Sequence, residues 1–60
     1  MWIRFRYEGL TPVHVWTDKV DLFEAIDEAM EKLERAGHSA DDTIWIDLHC
    51  RPARGAEVIR

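Results

Sequence analysis

Trp2-Ile3-Arg4-Phe5-Arg6-Tyr7 is the stretch that decides the fold. It alternates strictly, with Ile3, Phe5 and Tyr7 on one side and Trp2, Arg4 and Arg6 on the other, the period of a half-buried β-strand. Downstream, Gly9 tolerates positive φ and Pro12 is restricted to the start or edge of a strand, so Glu8 to Pro12 read as a turn. Val13, His14, Val15 and Trp16 resume the alternation. The first seventeen residues therefore predict a β-hairpin of strands over 2–7 and 12–17.

From Asp18 the apolar spacing changes to that of a helix. Phe23, Ile26, Met30 and Leu33 follow one another at three, four and three residues, with Val20, Leu22 and Ala29 widening the stripe. This predicts a helix over 18–36, capped at its start by Thr17 or Asp18 and stopped by a left-handed Gly37. Glu28 with Lys32, and Glu31 with Arg35, are suited to i,i+4 ion pairs. Beyond the polar loop His38–Asp42, Ile44, Ile46, Leu48 and Cys50 alternate with Trp45, Asp47 and His49, predicting a strand over 43–50. Arg51 to Gly55 break it, and Ala56 to Ile59 form either a brief fourth strand or an ordered tail within 51–60.

The expected architecture is one α+β domain over 1–60, a two-layer ββαβ sandwich with one amphipathic helix on one face of a three-stranded, mainly antiparallel sheet. A long crossover favours the third strand lying beside the first, spatial order 2-1-3 over 1-2-3. The expected core is Ile3, Phe5, Tyr7, Val13, Val15, Phe23, Ile26, Met30, Leu33, Ile44, Ile46 and Leu48.

Composition sets the class. With 60 residues, 47% of them hydrophobic and 33% charged, the chain is globular in balance but small, the size at which one core rarely stabilises a fold generously. Cys50 is the single cysteine, which excludes an internal disulfide framework and suits a reducing cytoplasm. No apolar run is long enough for a membrane span, and the charged N-terminus does not resemble a signal peptide. The net charge of −4 is concentrated in residues 18–36, where Asp18, Asp21, Glu24, Asp27, Glu28, Glu31 and Glu34 outnumber Lys19, Lys32 and Arg35.

The alternation leaves Trp2, Arg4, Arg6, His14, Trp16, Trp45, Asp47 and His49 on the face away from the helix. Three indoles there make a large apolar patch, and Trp and Arg are the residue types enriched at interface hot spots. The expected function is non-catalytic protein binding through this face or the sheet edge. The module would be a homodimer acting as an inhibitor or regulator of a protein partner, of phage or mobile-element type by analogy of size and charge. The alternative is nucleic-acid binding, with indoles stacking on bases and Arg4 and Arg6 on phosphates. The sequence pI near 5.2 and Asp47 on the same face weigh against it.

Chemistry is sparse. His49 and Cys50, as neighbours on a strand, point to opposite faces, so Cys50 reads as an inert, inward thiol. His14, Asp47 and His49 share a face but are kept apart by the strand order, and no cofactor, metal or catalytic motif is expected. The helical carboxylates read as a solvated face, with mimicry of nucleic-acid phosphates as the sharper reading. Arg51, Arg54 and Arg60 read as a solvated tail, or else as a grip on an acidic partner.

Overall fold

The computed structural model describes all 60 residues. Strands β1 (Trp2–Arg6) and β2 (Val13–Trp16) form the hairpin, α1 spans Leu22–Arg35, and β3 (Trp45–Leu48) and β4 (Glu57–Ile59) follow. The sheet order is β3-β1-β2-β4. β3 lies antiparallel beside β1, so the expected 2-1-3 arrangement is present, and β4 extends it by pairing parallel to β2. The sheet is thus four-stranded and mixed. No helix is long and apolar enough to cross a membrane.

The helix begins four residues later than its apolar pattern suggested. Thr17 remains part of the hairpin: its N–H donates to the Met1 carbonyl at 3.0 Å, and its side-chain oxygen accepts from Lys19 N–H at 3.2 Å. Residues 18–20 are then a connector, with Val20 95% exposed. The cap is Asp21, not Thr17 or Asp18: it is extended at φ −71°, ψ 129°, and its Oδ1 accepts from Glu24 N–H at 3.0 Å. At the other end Gly37 has φ +94°, Gly37 N–H donates to Glu34 O and His38 N–H to Leu33 O. This is a Schellman stop, which needs a residue free to adopt the left-handed region.

The core is narrower than the periodicity suggested. Ile3, Phe5, Val13, Val15 and Leu33 are buried as expected, joined by Ala25 and Ala29. Tyr7, Ile26 and Met30 pack at its margin, whereas Phe23, Ile44, Ile46 and Leu48 are exposed. Two small residues at the centre of the helix stripe bring α1 down close to the sheet, chiefly onto β2. One flank of the helix is tied towards β4, because Lys32 Nζ donates to Trp16 O at 2.7 Å and to Arg60 O at 3.2 Å. At 100° per residue, Phe23, Ile26 and Met30 fall on the opposite flank, towards β1 and β3. A helix seated over β2 does not reach across to β3. Glu28 pairs with Lys32 at 3.2 Å, but the expected Glu31–Arg35 pair does not form.

β3 is shorter than the 43–50 alternation predicted, because His49 adopts φ +54° and ends the extended run. Ile44 N–H to Arg6 O at 2.9 Å and Cys50 N–H to Trp2 O at 3.1 Å still anchor both of its ends to β1.

Candidate functional site: the β3 edge and the outer sheet face

Cross-strand register assembles the outer face. Trp2 pairs with Trp16, Arg4 with both His14 and Asp47, and Arg6 with Trp45. Seven of the eight residues expected on this face are therefore set side by side by the ladder; the eighth, exposed His49, lies beyond the strand but lines a small cleft with Trp2, Trp16 and Arg51.

The charged side chains of that face bind one another. Asp47 Oδ2 accepts from Arg4 Nε at 2.8 Å and from Arg6 Nε at 2.7 Å, while Oδ1 accepts from Trp45 Nε1 at 3.0 Å. Hydrogen bonds from Arg6 and Arg4, reinforced by their charge, lower the Asp47 pKa from 3.8 to about 2 against the opposing effect of desolvation. The same hydrogen bond from Arg4 raises that guanidinium's pKa further. The one negative charge of β3 is thereby paired with two cations of β1.

The indoles are less open than the alternation alone implied. Trp2 and Trp16 meet edge to face with centroids 5.4 Å apart, and the Arg60 guanidinium lies 5.1 Å from the Trp2 ring centroid. β3 ends beside Ile3 and β4 starts beside Val13, so residues 49–56 must cross the sheet. Arg51 and Pro52 line a shallow cleft with Trp2, Trp16 and Arg60, which places that crossing on the outer face. His14, expected to be open, is only 6% exposed with Nδ1 unpaired, because β4 sets Val58 beside it. Trp45, 62% exposed, is the most open of the three indoles.

A second apolar surface was hidden from the alternation. Ile44, Ile46 and Leu48 share the face of Ile3 and Phe5, yet β3 is the sheet's edge and the helix does not cover it. Ile44 is 59% exposed, and Phe23 on the adjacent flank of α1 is 77% exposed. The sequence signal was present, since each residue fits its apolar period; what it lacked was the lateral position of the helix.

Two further features bear on chemistry. His38 Nε2 and Glu57 Oε2 lie 2.7 Å apart and tie the loop after α1 to the start of β4, beside a cleft lined by Tyr7, Leu10, Val13 and Asp42. His14, Asp47 and His49 do not converge, and no group of three His, Cys, Asp or Glu side chains is arranged to hold a metal ion. Cys50 is half-buried instead of lying in the core, because the turn at His49 ends the alternation before it. Comparison with family models, with curated proteins and with solved structures finds no match to this chain.

Proposed function

We propose that this chain is a non-catalytic protein-binding module whose binding element is β3 with the neighbouring flank of α1. The observation that carries this reading is an edge strand with an uncovered apolar side, Ile44, Ile46 and Leu48, while an exposed Phe23 lies on the flank of α1 turned towards that edge. Exposed edges template strand addition, and proteins that avoid it blunt them with charge, Pro or a bulge. Here Asp47, the one charge on β3, is held by Arg4 and Arg6.

The other edge is better protected. β4 has three residues, its Glu57 is paired with His38, and the Arg60 carbonyl accepts from Lys32. Nucleic-acid binding remains the second reading, supported by the cleft where Trp2 and Trp16 meet Arg51 and Arg60. It is weakened by the engagement of Arg4 and Arg6 with Asp47 and by the acidic helix.

A photo-crosslinking amino acid at Phe23, compared with one at exposed Glu31 on the side of α1 turned directly away from the sheet, tests the proposal in cells that express the chain. Protein adducts from position 23 and none from position 31 support it. Silence at position 23, with adducts to nucleic acid from a probe at Arg51, favours the second reading.

A further inference from the structure

The hydrogen-bonding pattern of β3 specifies what it fits. Met1 and Thr17 exchange backbone hydrogen bonds across the β1–β2 pair, so Met1, Ile3 and Phe5 direct their polar backbone groups towards β2. Trp2 and Arg6 direct theirs towards β3, accepting from Cys50 and Ile44. Arg4 must do likewise, which makes Arg4–Asp47 the central hydrogen-bonded pair. It follows that Asp47 faces β1, whereas the N–H and C=O of Ile46 and Leu48 face outwards, where no strand follows.

We infer that the occupant of this edge is a second copy of the chain, its β3 paired antiparallel to the first about a two-fold axis at Ile46. The inference rests on the reading of β3 as the binding element. Four registers centred on a residue of β3 could close such a pair. An axis at Trp45 pairs Ile46 only with Ile44, whose N–H is already donated to Arg6 O. An axis at Asp47 sets two Asp47–Arg4–Arg6 clusters, each with one excess positive charge, directly opposite one another, a destabilising like-charge arrangement. An axis at Leu48 draws His49 and Cys50 into the ladder, where the φ of +54° at His49 has already ended the strand. An axis at Ile46 keeps its central hydrogen-bonded pair clear of all three, with Ile44 meeting the other copy's Leu48 through side chains.

In that register Ile46 opposes its own copy and exchanges two backbone hydrogen bonds with it. Ile44 opposes the other copy's Leu48 on the helix side, and Trp45 opposes the other copy's Asp47 on the outer side. Two four-stranded sheets become one of eight strands, with the Phe23 flank of each helix facing the new seam. A two-fold interface must be self-complementary, and this one matches apolar with apolar and sets each Trp45 ring beside the other copy's Asp47. Phe23, Ile44, Trp45, Ile46 and Leu48 are the exposed apolar side chains that such a pair would draw from water, 77%, 59%, 62%, 37% and 40% exposed in the single chain.

Sedimentation equilibrium of the purified full chain, combined with cysteine crosslinking on a Cys50→Ser background, tests this. The expected result is a dimer that Ile46→Cys locks in high yield on oxidation, because hydrogen-bonded antiparallel Cα atoms lie about 5.5 Å apart, within disulfide reach. Leu48→Cys should not lock, since its two copies would be separated by about 13 Å. Ile46→Glu should weaken the dimer at least a hundredfold while keeping the native circular dichroism of the dilute protein. Leu48→Lys serves the same purpose if Ile46→Glu does not fold.

A folded monomer at 100-micromolar-order concentration overturns the inference, and so does a dimer that locks through position 47 or 48. If the monomer still yields adducts between position 23 and another protein, the binding reading stands and only the second copy is wrong. A dimer that forms elsewhere while the Phe23 probe stays silent defeats both.

Discussion

Arg4 and Asp47 face one another across the β1–β3 pair, with Nε 2.8 Å from Oδ2, and Arg6 closes on the same oxygen at 2.7 Å. One carboxylate therefore holds two cations on the adjacent strand, and its protonation state reports on the attachment of β3. The folded-state pKa, about 2, lies below the ordinary value of 3.8. The stabilisation is fully present above that ordinary value and is lost as pH falls through the folded one. Acid titration followed by NMR of the Asp47 carboxyl should place its midpoint near the lower value, with β3 loosening between about pH 4 and pH 2. Asp47→Asn should remove that segment of the pH dependence, and an unchanged acid profile in the variant would contradict the assignment.

Helix initiation at Asp21 gives a second test. Asp21→Ala removes the oxygen that accepts from Glu24 N–H and should cost about 1 kcal/mol in urea denaturation. Asp18→Ala, three residues upstream in the connector, should change stability by less than ~0.5 kcal/mol. The reverse ranking would restore the earlier start that the apolar pattern suggested.

Leu33 and Phe23 both fit the apolar stripe of α1 but occupy different environments. Leu33 is fully buried, so Leu33→Ala should destabilise by about 2 to 5 kcal/mol. Phe23→Ala should leave the unfolding of dilute, dissociated protein within ~0.5 kcal/mol of the parent while lowering association. Chemical denaturation at two protein concentrations separates the outcomes: a large loss for Phe23→Ala that is independent of concentration would place Phe23 in the intrachain core.

Lys32 is the bolt at the other end of the sheet. Its ammonium donates to Trp16 O and Arg60 O, holding the end of β4 beneath the helix. Lys32→Met keeps the aliphatic stem but removes the donors, with an expected cost of about 1 kcal/mol at this partly exposed site. Amide hydrogen exchange should quicken in Glu57–Ile59 before it does in β1. Uniform quickening across the sheet would mean that β4 is not separately held.

Much of this fold is written in local periods. The alternation from Trp2 to Tyr7, the change of period after Asp18 and the position of Gly37 each follow from geometry that a short segment carries by itself. They sufficed to establish two strands, a helix and a third strand beside the first. They also grouped Arg4, Arg6, Trp45 and Asp47 on one face, because cross-strand partners share a face whatever the rest of the chain does.

Local sequence thus sets which side of each strand is apolar and where each element turns over. Which of those apolar sides are covered depends on packing between elements. Ile46 and Ile3 carry the same local signal, yet Ile3 lies under the helix and Ile46 at an edge beyond it. The difference arises because Ala25 and Ala29 seat α1 close over β2, a choice of lateral position that no residue period encodes. The same holds for His14: its outward phase was legible, but its burial came from β4 docking beside β2, a pairing between segments more than forty residues apart. Non-local packing converts a list of apolar faces into one closed core and one open edge, and it is the open edge that the proposed function uses.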